Sequence, residues 1–229
     1  MVAFDVMFER FRRDLARFVA MEFGPKTPLS TRVRLVIFAP QLQAIAVYRF
    51  GHWVTTKVKG RPLRLPLTVL YHAADYLTQA VWAMHVEPGA DIGGGLYLAH
   101  PGSLLIGPVK MGEDCCVGIN VIIGGRTDGQ GTSDKPTIGD RVWIGSGSVL
   151  YGKIAIGSGA SVGPLTAVGR NVAPRSLVFG SPMKVIRADY DNTHQIYGQA
   201  GPLKSRDPIG GEGRPRTSDE RPSAEEILP

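Results

Sequence analysis

Between Phe23 and Ala74 the sequence has no aspartate or glutamate, while Lys26, Arg32, Arg34, Arg49, Lys57, Lys59, Arg61 and Arg64 all fall inside that interval. Those cations outnumber the formal net charge of +6 carried by the whole 229-residue chain. Cysteine is nearly absent. The two present, Cys115 and Cys116, are adjacent, which excludes an unstrained disulfide between them and any paired zinc spacing, and fits a reducing compartment. Long unbroken apolar runs are also missing. Stretches 33–48 and 63–84 are interrupted by Arg34, Pro40, Arg64, Pro66, His72 and Asp75, each costly in a bilayer core, so neither reads as a spanning helix. The first residues are charged (Asp5, Glu9, Arg10, Arg12, Arg13) and lack the apolar centre of a secretory signal. The expected location is the cytoplasm, with the inner membrane face open to the basic block.

What is present divides into three regions. Hydrophobic residues make up 43% and charged residues 20% of the chain, enough for a real core and too apolar for a disordered chain. Glycine (29) and proline (17) together exceed the roughly 12% of average proteins and point to a turn-rich fold. Residues 1–84 carry helical spacing, with Phe4, Phe8, Phe11, Leu15, Phe18 and Val19 on one face.

From 85 to 189 the period changes to six. Aliphatic residues recur at Val86, Ile92 and Leu98, then Leu105, Met111, Val117 and Ile123, then Ile138, Ile144, Leu150, Ile156, Val162 and Val168. Glycine follows most of them. A mostly small or β-branched residue stands four positions after many, as at Ala90, Cys115, Val121, Val142, Ser148, Ala160 and Thr166. A repeat of this kind predicts a parallel β-helix, three short sides to a coil, with the aliphatic residues stacked inward and the glycines serving the turns. An antiparallel sandwich would instead alternate with period two. Between Ile123 and Ile138 the spacing stretches to fifteen, so 124–137 is expected to leave the coil as a functional loop. Residues 190–229, poor in aliphatics, read as a disordered tail.

These residues resemble the hexapeptide-repeat acyltransferases, and among them the serine acetyltransferases. The resemblance is carried by Tyr48-Arg49-Phe50-Gly51-His52-Trp53, by the stretch from Val86 to Ile92, by Leu98-Ala99-His100, by Val121-Ile122-Ile123-Gly124-Gly125 and by the closing Gly180-Ser181-Pro182-Met183-Lys184-Val185-Ile186-Arg187. It implies left-handed winding, which the spacing does not show, because ordinary parallel crossovers are right-handed. It also implies a homotrimer, or a dimer of trimers, with active sites between neighbouring β-helices.

The reaction so implied is transfer of an acetyl group from acetyl-CoA to a hydroxyl, which needs a proton acceptor and oxyanion donors. His100 matches the family's general base. His85 either orients His100 or stands exposed at the start of the domain. Resemblance places Gly124, Gly125, Gly145 and Ser146 beside the thioester arm, and Lys184 and Arg187 at the CoA phosphates. The acceptor side departs from the family. Ala99 replaces an aspartate, His85 replaces the aspartate that orients the base, and Asp134-Lys135 replace an Arg-His pair that holds substrate. The family's helical carboxylate has no counterpart in the acid-free stretch before Asp75.

From these departures the expected acceptor is a sugar hydroxyl in polysaccharide or lipid-linked oligosaccharide synthesis, with serine as the alternative and a non-enzymatic trimeric scaffold as the reading of another class. The basic block with Tyr48, Trp53 and Tyr71 suits a peripheral membrane contact. No recognised nucleic-acid motif accompanies the charge. Only His100 and His85 are near enough for metal ligation, too few for a catalytic zinc, so no metal is expected. Cys115 is expected in the core, and Cys116 on the outside of its coil.

Overall fold

The computed structural model describes residues 2–24, 27–127 and 133–198, with side chains from residue 6 onward and outside 126–134. Lys26 and residues 199–229 lie outside the described residues. Four helices come first: α1 (Val2–Glu22), α2 (Leu29–Phe38), α3 (Pro40–Thr56) and α4 (Arg61–Trp82). Proline in the first turn starts both α3 and α4, where no backbone donor is needed. Helix α4 ends at Ala83, left-handed at φ 53°, whose amide turns back to the Gln79 carbonyl.

The hexads then wind into a parallel β-helix of five coils, consistent with left-handed winding. Its first face stacks Met84–Val86, Leu104–Ile106, Val121–Gly124, Val149–Tyr151 and Ala167–Val168. The second stacks Asp91–Ile92, Lys110–Met111, Thr137–Ile138 and Ala155–Ile156, extended by a bridge at Val172. The third stacks Tyr97–Leu98, Cys116–Val117, Trp143–Ile144, Ser161–Val162 and Leu177–Phe179. Strand Lys184–Arg187 then reverses direction and closes the third face antiparallel. Inward ladders such as Ile92, Met111, Ile138 and Ile156 are almost wholly buried, and the small residues from Ala90 to Thr166 sit at the buried corners as their spacing predicts.

The glycines after the inward residues do a different job from the turn role expected of them. A Cβ on Gly93 would lie 2.7 Å from the Gly112 backbone, and one on Gly139 2.6 Å from that of Ser158. Coil stacking excludes the side chain. The left-handed turn position comes two residues later, at Gly95, Asp114, Asn120, Arg141, Gly147, Gly159, Leu165 and Arg175, three beyond each inward residue. Non-glycine side chains accept it at five of these.

Register differs at one predicted hexad. Leu105 points outward, and Leu104 and Ile106 point inward. The corner from Leu98 to Ile106 is two residues longer than the hexad spacing, and it contains His100. The three faces have different surroundings. The second presents Asp91, Lys110, Thr137 and Ala155 to solvent. The third is covered by α1 and by α5 (Thr193–Tyr197): Phe18, Tyr97, Cys116, Ile196 and Tyr197 form one apolar cluster. Cys116 therefore points out of its coil, as expected, but is buried beneath helices. Residues 190–198, assigned by composition to the tail, include a helix whose Ile196 and Tyr197 are buried. On α1, Phe18 and Val19 are buried while Phe8 stays exposed. Beyond its first strand, against which α3 and α4 pack, the first face is uncovered, with Leu105 47% and Ile122 45% exposed.

Candidate active site

The aromatic-basic motif at 48–53 joins the helices to the first coil. The Tyr48 hydroxyl donates to the Ala90 carbonyl at 2.9 Å and accepts from the Ile92 amide at 3.2 Å. Arg49 is buried against Asp14, with Nε 2.9 Å from Oδ2, and also donates to the carbonyls of Ile92 and Gly93. Asp14 accepts the Leu96 amide at 2.8 Å as well. Its burial still raises the carboxyl pKa against the pull of Arg49. Gly51 leaves room for the Tyr71 ring, which a Cβ would meet at 2.3 Å. His52 Nδ1 lies 3.0 Å from the Pro88 carbonyl. The motif fixes where the first coil begins, and thereby where His85 and His100 stand.

His100 occupies the long corner between the third face of coil one and the first face of coil two. Its side chain is exposed and makes no hydrogen bond to another described residue. That leaves an imidazole with both nitrogens available beside an uncovered apolar face. Two coils further along the same edge lie Gly145 and Ser146, and Ser181 to Lys184 lie at its far end. The topology thus lines up His100, Ser146 and Lys184 on one edge of the prism. Lys184 borders an open cavity of about 720 Å³ with Tyr151, Gly169, Ser181 and Met183. Arg170 lines that cavity too, bonded to the Met183 carbonyl at 2.6 Å. It is a cation that sequence reasoning passed over, because it lies outside the closing motif. Arg187 pairs with Leu177 at the other end of the reversed strand, across the third face from Lys184.

Small residues at the two edges of the first face are small for different reasons: Gly145 stands on the His100 edge, and Gly124 at the opposite edge, where the first face turns toward the second. A Cβ on Gly145 would come within 2.6 Å of the Pro164 backbone, so coil packing requires that glycine. A Cβ on Gly124 would meet nothing within 4 Å, so the space beside Gly124 is open to a ligand. Gly125 is exposed next to it. From there the expected loop leaves as a two-stranded arm, Arg126–Thr127 antiparallel to Ser133–Asp134. Lys135 is exposed at the base of the arm; the side chain of Asp134 lies outside the described residues.

His85 is drawn toward carboxylates. Its Nδ1 lies 3.0 Å from Asp75 Oδ1 on α4, and its Nε2 3.4 Å from Glu87 Oε2. Gln79 donates to the other Asp75 oxygen at 2.7 Å. Between His85 and His100 there is neither a hydrogen bond nor a ring contact. His85 points outward from the first face, in register with Leu105, and so does Glu87 next to it. The carboxylates of Asp75 and Glu87 push up the pKa of nearby Tyr71, after burial. Glu87 was missed from sequence; its position two residues after His85 on a strand, hence on the same side, is the signal that could have found it. Among the described residues no cluster of three or more His, Cys, Asp or Glu is arranged to hold a metal.

Comparison with known proteins places this geometry. A family model for bacterial transferase hexapeptide (six repeats) matches residues 135–170. Serine acetyltransferase of Mycobacterium tuberculosis is 32% identical over 168 residues, 73% of this chain and 69% of that protein. The chain spans 60% of the serine acetyltransferase of Synechococcus elongatus, at 28% identity over 67% of its own length. Soybean serine acetyltransferase complexed with serine is similar in structure, with a TM-score of 0.64, 26% identity and coverage of 80% of this chain and 70% of that one. The Brucella abortus enzyme in complex with coenzyme A shares the fold, with a TM-score of 0.64 at 20% identity over 81% and 72%. With the shared fold, the hexapeptide match and 32% identity across more than two thirds of both chains, this chain belongs to the serine acetyltransferase family of hexapeptide-repeat transferases.

Proposed function

We propose that the protein transfers the acetyl group of acetyl-CoA to the hydroxyl of serine, with His100 as general base. The observation that carries this reading is the edge on which an exposed imidazole, with no hydrogen-bond partner among the described residues, stands in line with Ser146 and a terminal cation, in a chain 32% identical to a serine acetyltransferase. That likeness supports serine over the sugar hydroxyl anticipated from the altered acceptor residues.

The chemistry follows from the edge. Lys184, with Arg170 beside it, receives the CoA phosphates, and the thioester arm runs past Ser146 toward His100. The imidazole takes the hydroxyl proton as the serine oxygen attacks the thioester carbon. Backbone amides beside Ser146 hold the resulting oxyanion. The tetrahedral intermediate then expels the CoA thiolate, which regains the proton from His100, leaving O-acetylserine and free CoA. On the acceptor side, Glu87 receives the serine ammonium and Lys135 its carboxylate. Asp75 orients His85, and the pair restores the negative and polar lining that the family builds with aspartates.

The uncovered first face is the surface for neighbouring copies. Its outward ladder of Leu105, Ile122, Val149 and Ala167 is apolar, and threefold association buries it. The edge bearing His100 then meets the extruded arm of a neighbour, so each site is shared between two copies.

Release of free thiol from acetyl-CoA tests the reading, with serine compared against a panel of sugars and oligosaccharides. Turnover with serine, reduced about 100- to 10,000-fold in His100→Ala, is the expected result. Turnover confined to sugars would return the acceptor to a saccharide. Undiminished turnover in the variant would remove His100 from the reaction, and absence of turnover with either class would leave the scaffold reading.

A further inference from the structure

Helix α4 buries one face against the protein and leaves an apolar face uncovered. Toward α3 and the first coil it turns Tyr71, Asp75 and Thr78, all buried. On the opposite side Leu63, Leu65, Val69, Leu70, Tyr76 and Leu77 are 57 to 70% exposed, a continuous stripe at helical spacing. Asp75, the one acid in α4, faces inward, so the stripe carries no negative charge. At its start stand Lys57, Lys59, Arg61 and Arg64, all exposed and in no ion pair among the described residues. An exposed aliphatic stripe of this length on a helix is unusual for a surface that meets only water.

We propose that the start of α4 and the turn before it bind an anionic membrane surface, the leucines entering the boundary between headgroups and acyl chains while the four cations meet lipid phosphates. Charge selects this occupant. A second copy laid on the same patch offers the cations no counter-charge, because neither the stripe nor the turn before it carries an exposed acid, whereas an anionic bilayer complements them and also takes up the aliphatic side chains. No described helix is long and apolar enough to cross a membrane, so the contact is peripheral. This inference does not depend on which acceptor the active site uses.

Cosedimentation of the full chain with vesicles of phosphatidylcholine, alone or mixed with phosphatidylglycerol, tests it. Binding at least about tenfold stronger to the mixed vesicles is expected, weakened by raised salt. Arg61→Glu with Arg64→Glu should lower that binding about tenfold or more, and Leu65→Glu with Leu70→Glu likewise. Neither pair touches the proposed site, so acetyl transfer should stay at the wild-type level and certify the fold. Equal partition into both vesicle types, or variants that bind like wild type, would overturn the proposal. So would a drop in solution mass of the leucine variant by light scattering, which would assign the stripe to an interface between copies.

Discussion

Single residues at the two edges of the first face differ in what a substitution would cost. At Gly145 a methyl group would press on the Pro164 backbone, so Gly145→Ala should destabilise the fold by about 1–3 kcal/mol, measurable by denaturant unfolding. Gly124→Ala has open space and should fold normally while weakening acetyl-CoA binding, seen as a raised KM for the donor. In the proposed site Asp75 acts through His85, to which it is bonded at 3.0 Å. Asp75→Asn should therefore lower kcat by about tenfold and shift its pH profile, with Asp75→Glu restoring part of both; a purely structural role would leave the profile of the residual activity unmoved. The two thiols contrast with the imidazoles. Burial pushes both Cys115 and Cys116 up to about 12, so neither should react with a thiol reagent in the native protein, and both should react after unfolding.

At the level of elements, the junction between helices and β-helix contains a buried ion pair, Arg49 with Asp14. Arg49→Met would leave the Asp14 carboxylate buried without its cation, a loss of about 3–5 kcal/mol; replacing both partners with apolar residues should cost less, which a double-mutant cycle would show. This junction also marks how far the sequence could be read. The hexads disclosed the β-helix because inward side chains must repeat wherever a coil repeats. They misplaced Leu105, because the long corner after Leu98 shifts the register without altering the aliphatic composition. They did not reveal what covers each face. Cys116 looked like a surface residue since the covering elements, α1 and α5, come from opposite ends of the chain. His100 was legible from its motif, whereas the partners of His85 were not. Asp75 reaches it from another element, and no spacing rule connects a helix to the strand that follows.

For the whole molecule, the apolar first face predicts association. Light scattering should give a mass near three times 24.7 kDa, and Leu105→Asp with Ile122→Asp should yield monomers that retain the coil by circular dichroism but lose acetyl transfer. Stability should depend on pH through His52. Its burial holds the pKa below the ordinary value of 6.5, so on acidification the unfolded chain takes up a proton that the folded one refuses. Stability is thus complete above 6.5 and declines below it. Thermal unfolding at neutral and mildly acidic pH should show this decline, and His52→Gln should reduce it.

The stacked coils also act as a ruler. Each coil advances one strand spacing, about 4.8 Å, and Val149 to Ala167 shows that one step takes eighteen residues. Four steps separate the corner of His100 from that of Ser181, roughly 19 Å by the same spacing. With the donor anchored at Lys184 as proposed, its reach is quantised in whole coils. Deleting eighteen residues would preserve every ladder and every corner, yet carry the thioester carbon about 4.8 Å past the imidazole, beyond the span of a hydrogen bond. The number of hexads is then a specification of donor length, written into the chain separately from the residues that perform the reaction.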